Sequence, residues 1–133
     1  MFGKKKTPGL IFIVEDNPLY AKTLQAYLQM TFHKETVVET FPIGELCLEN
    51  LHRKPDFVIM DYYLNSKFHD AANGIEMAKQ VKSKCSSAKI IVLSSQEDMD
   101  LAFKTVEQLK YDYVMKNDYA YENVGNIITR SYK

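Results

Sequence analysis

The chain of 133 residues has no tryptophan, two cysteines, four prolines and five glycines, and its 17 basic residues are cancelled by 17 acidic ones. These shortages exclude several classes of protein. Cys47 and Cys85 stand far apart with no CxxC spacing, which argues against a disulfide scaffold and for idle thiols in a reducing compartment. The longest apolar run, Leu10 to Val14, is five residues, against the roughly 20 that a transmembrane helix needs. No apolar stretch of signal-peptide length follows the N-terminal lysines, so a secretory leader is not expected and the default location is the cytoplasm. Zero net charge gives no electrostatic case for nucleic-acid binding. The one basic run, Lys4-Lys5-Lys6, reads as part of a solvated tail over residues 1–8.

What is present is ordinary globular composition, 46% hydrophobic and 26% charged, at a length that implies one domain over residues 1–133. There is no repeat, low-complexity tract or Ser/Gly linker. Short apolar runs alternate with helical patterns. Leu10 to Val14 reads as a strand buried on both faces. Asn17 and Pro18 suit the N-cap and first position of a helix, with Leu24, Tyr27, Leu28 and Tyr20 on its apolar stripe. Val37 to Phe41 is a second strand, and Ile43, Leu46, Cys47 and Leu51 mark a second helix. Phe57 to Met60 is the third strand, with Asp61 at its end. A long polar stretch runs from Tyr62 to Asn73. Gly74 opens a third helix with Ile75, Ala78 and Val81 inward.

Lys89 to Leu93 is the fourth strand, ending in Ser94-Ser95, and Ser95 with Asp98 resembles a capping box. Met99, Ala102, Phe103, Val106 and Leu109 form the core stripe of a fourth helix. Tyr111 to Met115 is the fifth strand, and Asn117-Asp118 turns the chain into a last helix with Tyr121, Val124, Ile127 and Ile128. The reading is (βα)5, a doubly wound α/β fold with a parallel sheet and helices on both faces. Such sheets bind ligands at the carboxyl ends of their strands.

Those ends carry chemistry. Strand one delivers Glu15 and Asp16, strand three Asp61, strand four Ser94 and strand five Lys116. With the central strands adjacent, as in other doubly wound folds, these residues converge. Carboxylates about 5 Å apart repel by roughly 3 kcal/mol per pair at an effective dielectric near 20. Lys116 supplies one compensating charge, and a hard cation such as Mg²⁺ is the natural second. Such a site admits a phosphoryl group, and a carboxylate can act as its nucleophile.

The sequence resembles a receiver domain of two-component response regulators over roughly residues 10–131. The resemblance rests on the acidic pair in Val14-Glu15-Asp16-Asn17, the aspartate in Val58-Ile59-Met60-Asp61, the hydroxyl in Ile91-Val92-Leu93-Ser94-Ser95 and the lysine in Tyr113-Val114-Met115-Lys116. It implies a flavodoxin-like sheet of order 2-1-3-4-5. It implies Asp61 as phosphoacceptor, with Mg²⁺ held by Glu15, Asp16, Asp61 and the backbone carbonyl of Tyr63. It makes Ser94 the switch hydroxyl, Lys116 the partner of the acyl phosphate and Tyr113 the switch aromatic. The phosphoryl group would come from a sensor histidine kinase or a phosphotransfer protein. A downstream protein would read the face made by the fourth helix, fifth strand and fifth helix. Homodimerisation on phosphorylation is common in the family. Neither nucleic acid nor membrane is an expected partner of this chain, nor is turnover catalysis expected.

Four features depart from the family pattern. Asn117 replaces the usual cis proline after the lysine; a cis bond there would cost about 3 kcal/mol, so a trans turn is expected. The connection from Tyr62 to Asn73, with Lys67-Phe68-His69-Asp70, is longer than usual and reads either as a cover or partner contact at the site or as a plain surface insertion. Leu109-Lys110 replace a common Gly-Ala pair. Tyr63 and Gln96 occupy positions that tune phosphoryl lifetime in the family, and the bulky ring at Tyr63 implies slow self-dephosphorylation.

Other readings remain open from sequence. Glu15-Asp16 alone suits a plain helix N-terminus, and Tyr113 alone suits strand packing. His33, His52 and His69 share no metal-ligand spacing. A receiver-like module that signals by fixed contacts without phosphate is the main alternative. A phosphohydrolase would want an aspartate where Tyr63 stands, and a flavin site would be repelled by Glu15-Asp16.

Overall fold

The computed structural model describes residues 7–62, 74–95 and 99–133. Five parallel strands form one sheet: β1 (Leu10–Val14), β2 (Val37–Phe41), β3 (Phe57–Asp61), β4 (Lys89–Ser94) and β5 (Asp112–Met115), in the order β2-β1-β3-β4-β5. The helices are α1 (Pro18–Phe32), α2 (Gly44–Glu49), α3 (Gly74–Lys84), α4 (Met99–Phe103) and α5 (Ala120–Arg130). This is the expected doubly wound fold. Residues 11–14, 57–60 and 90–93 of the central strands are apolar because both faces of the sheet are covered there. Phe12, Val14, Val58, Met60, Ile90 and Val92 join Ile75, Ala78 and Val81 of α3 on one face. Ile11, Ile13, Ile59, Ile91 and Leu93 meet Leu24 and Leu28 of α1 and Val124 and Ile128 of α5 on the other. The alternation follows from the two-residue side-chain period of a strand.

Asn17 caps α1, its Oδ1 accepting from the Tyr20 N–H at 3.1 Å, with Pro18 in the first turn. At the amino end of the sheet, Asp56 Oδ2 accepts from the N–H groups of Gly9 (2.7 Å) and Leu10 (3.2 Å) and so fixes the entry into β1. Cys47 and Cys85 are free and buried. Burial, and then the nearby Cys85, push the Cys47 thiol up to about 12.

Two expectations need correction. The second helix is shorter than the Ile43-to-Leu51 pattern predicts. Ile43 is its extended N-cap, Leu51 belongs to a separate 3₁₀ turn, and Ile43 and Leu46 are exposed. Six residues make fewer than two turns, so one inward ridge suffices, and Cys47 supplies it. The Met99-to-Leu109 stripe is likewise not a continuous core face, because Phe103 and Val106 are 61% and 45% exposed. After α4 the chain widens into a π-type turn over Lys104–Gln108, where the Leu109 N–H reaches the Lys104 carbonyl at 3.0 Å. The extra residue per turn shifts the register, and Thr105 is buried instead.

Among the described residues, three non-glycine residues have positive φ: His33, Lys54 and Lys110. Lys110 lies in the turn before β5, and at φ 61° it takes a conformation glycine favours. His33 is the more costly case, with φ 61° and ψ −159° at the end of α1, a region almost reserved for glycine. Its side chain is exposed. His33→Gly is therefore expected to stabilise the fold by about 1 kcal/mol, strain relief outweighing the added freedom of the unfolded chain. A higher midpoint in urea unfolding, with unchanged slope, is the expected observation.

Candidate functional site

The carboxyl ends of β1, β3 and β5 open onto a cleft of about 480 Å³ lined by Glu15, Asp16, Asn17, Pro18, Asp61, Ser95 and Lys116. Register explains the convergence. Val14 pairs with Met60 and Asp61 with Leu93, so the residues that follow β1 and end β3 emerge side by side. The Glu15 N–H extends the ladder to the Phe41 carbonyl at 3.0 Å, and the Lys116 N–H extends it to the Ser94 carbonyl at 2.7 Å. The site residues are thus held by the sheet itself.

Ligand oxygens of Glu15, Asp16 and Asp61 all lie within 4.8 Å of one another. Glu15 and Asp61 are only 2% and 3% exposed. The Lys116 ammonium reaches between them, with Nζ 2.5 Å from Glu15 Oε1 and 3.5 Å from Asp61 Oδ1. Glu15 Oε2 accepts from the Asn17 N–H at 3.1 Å, which locks its carboxylate toward the cleft. An all-oxygen donor set that buries this much negative charge around one lysine suits a hard divalent cation. Ser94, the last residue of β4, is fully buried.

Gly74 sets how α3 meets β3. Its N–H donates to the Tyr62 carbonyl at 2.8 Å. A β-carbon at this position would fall 2.4 Å from the Asp61 carbonyl oxygen and 2.5 Å from the Tyr62 Cα. Close backbone approach beside Asp61 therefore requires glycine.

Tyr113 pairs in register with Val92 and packs, partly buried, at the edge of the same core cluster. Ser94 stands two residues beyond Val92, so the Tyr113 ring and the Ser94 hydroxyl share one face of the sheet. The turn after β5 contains no cis bond. The Asn117 side chain organises it by accepting from the Tyr119 N–H at 2.9 Å, while the Asn117 carbonyl accepts from the Ala120 N–H at 3.1 Å. Tyr63, Gln96, the Lys67–Asp70 insertion and Asp98 lie outside the described residues.

From sequence, Tyr20 is placed only on the α1 stripe. Its ring instead faces the Lys116 ammonium, 4.5 Å from Nζ to the ring centroid. Burial, followed by the proximity of Tyr121, Glu15 and Asp61, raises its phenol above the usual range and keeps it neutral. The signal in the sequence is its position, in the first turn of a helix whose N-cap, Asn17, follows the acidic pair.

Comparison with known proteins agrees with this geometry. The family model described as a response regulator receiver domain matches residues 11–122. The transcriptional regulatory protein LiaR of Bacillus subtilis is 27% identical over 112 residues, covering 84% of this chain and 51% of LiaR. The transcriptional regulatory protein MalR of the same organism is 25% identical over 108 residues, covering 80% of this chain and 43% of MalR. The chain thus spans about half the length of the curated relatives it matches. Among solved structures, the BeF3-activated DrrB receiver domain superposes with a TM-score of 0.72 at 24% identity, covering 91% of this chain and 94% of that one. Its fold, its family match and its relatives together place the chain in the response regulator receiver domain family.

Proposed function

We propose that this chain is phosphorylated on Asp61 and signals the event through its surface. The observation that carries the reading is the Lys116 ammonium set between Glu15 and Asp61 in an acidic, all-oxygen cleft. In the proposed reaction an Asp61 carboxylate oxygen attacks the phosphorus of a phosphohistidine on a sensor kinase or phosphotransfer protein. A new P–O bond forms as the P–N bond breaks, and the histidine leaves with its electron pair. Lys116 neutralises charge on the phosphoryl oxygens, and the Ser94 hydroxyl donates to one of them. Glu15, Asp16 and Asp61 would hold Mg²⁺, which supplies positive charge for the transferring group. The Tyr63 carbonyl would complete the ligand set.

Movement of Ser94 toward the phosphoryl group frees space on the sheet face it shares with Tyr113. The Tyr113 ring then turns inward, and the surface of α4, β5 and α5 changes for a downstream protein. The exposed Phe103 and Val106 belong to that region. The domain takes part in its own phosphorylation but turns over no substrate. No helix among the described residues is long and apolar enough to cross a membrane.

Intact-mass measurement after incubation with acetyl phosphate and Mg²⁺ tests the proposal. One added phosphoryl group is expected, lost in Asp61→Asn and lost when the metal is chelated. An unchanged mass, or equal labelling of Asp61→Asn, would overturn it.

A further inference from the structure

Lys116 has a long, flexible stem, and a lysine head group is a point charge without fixed direction. Two carboxylates compete for it, and Glu15 Oε1 at 2.5 Å is nearer than Asp61 Oδ1 at 3.5 Å. A third contact comes from the π face of Tyr20, 4.5 Å from Nζ. That ring is itself fixed. It packs edge-on against Tyr121 with centroids 5.3 Å apart. Tyr121 also contacts the Tyr27 ring and hydrogen-bonds the Thr23 hydroxyl. The Tyr20 backbone N–H is held by the Asn17 cap. The arrangement ties the α1–α5 seam to the ammonium.

The hydroxyl of Tyr20 takes no part in this. Among the described residues it is the buried side-chain polar atom with no hydrogen-bond partner. A buried phenol with an unmade bond carries a penalty, so hydrogen bonding does not explain a tyrosine here. The ring face does.

We propose that Tyr20 is a positioning residue for Lys116: its aromatic face, braced by Tyr121, holds the ammonium where it meets both Glu15 and Asp61. The inference deepens the proposed phosphorylation of Asp61 and rests on it for its kinetic consequence. The ring keeps the charge centred in the cleft, ready for the incoming phosphoryl oxygens. Without it, Lys116 spreads over more rotamers and the labelling step slows.

The test compares Tyr20→Phe with Tyr20→Leu. Tyr20→Phe keeps the ring and removes the unpartnered hydroxyl, so its labelling rate with acetyl phosphate is expected to stay near wild type. Tyr20→Leu keeps an apolar side chain but no ring, and its rate is expected to fall roughly fivefold, the scale of one cation–π contact. Equal rates in Tyr20→Leu and wild type overturn the proposal, as does an equal fall in both variants. The NMR shift of the Lys116 ε-methylene protons needs no phosphodonor. These protons should be moved upfield by the ring in wild type and Tyr20→Phe and released in Tyr20→Leu. If wild type takes no label, the proposed function fails, and this shift alone decides the positioning claim. Protons indifferent to Tyr20→Leu overturn it.

Discussion

Gly74→Ala is expected to destabilise the fold by about 3 kcal/mol and to slow labelling of Asp61 by roughly 100-fold. The added β-carbon meets backbone, not a side chain that can swing away: the Asp61 carbonyl oxygen at 2.4 Å, the Tyr62 Cα at 2.5 Å and the Asp61 carbonyl carbon at 3.0 Å. Either α3 lifts from the sheet or the end of β3 yields. Lifting α3 strips Ile75, Ala78 and Val81 from the core. Yielding at β3 moves Asp61, the proposed nucleophile. Gly125→Ala is the control, because a β-carbon there finds only the Tyr27 ring, no nearer than 3.4 Å. In the interior of α5 that change should be neutral or stabilising by up to about 1 kcal/mol. Urea unfolding and acetyl phosphate labelling of both variants check the contrast in sign. Wild-type stability in Gly74→Ala would show that the approach of α3 to β3 is looser than the structure places it.

The second large effect is at Lys116. Lys116→Met keeps the apolar stem and removes the charge between Glu15 and Asp61. Loss of one partner from a fully buried pair costs about 3–5 kcal/mol. Lys116 is 15% exposed at its side chain, so a loss of about 2 kcal/mol is expected after allowance for solvent. Removing one preorganised charge from the proposed phosphoryl site should slow labelling by about 100-fold. The variant should also gain more stability from added Mg²⁺ than wild type does, because a cation bound to the native state replaces the missing charge. Unfolding curves with and without Mg²⁺ measure this. Equal Mg²⁺ stabilisation of the two proteins would separate the lysine from the proposed metal site.

The central strands were legible because burial on both faces fills consecutive positions with apolar residues. Phe12 and Ile13 look to opposite sides, yet both are apolar. The site was legible for a related reason. Glu15, Asp61, Ser94 and Lys116 are polar residues set abruptly against apolar strands, and parallel pairing brings their strand ends together. The elements that escaped the reading are those in which tertiary contact overrides periodicity. The stripe from Met99 to Leu109 has helical spacing, but a wider turn buries Thr105 in place of Val106. In the second helix, apolar Ile43 and Leu46 stay outside. Tyr20 escaped because an aromatic ring on a helix reads as packing, and only the structure reveals that it faces an ammonium.

Reduction of the labelled protein with borohydride, followed by peptide mass mapping, locates the phosphoryl group. Borohydride converts an acyl phosphate to the alcohol, so a homoserine residue is expected at the position of Asp61, only in samples given both acetyl phosphate and Mg²⁺. Homoserine at another carboxylate, or an unreduced Asp61 in a sample that carries the label, would rule out Asp61 as the phosphoacceptor.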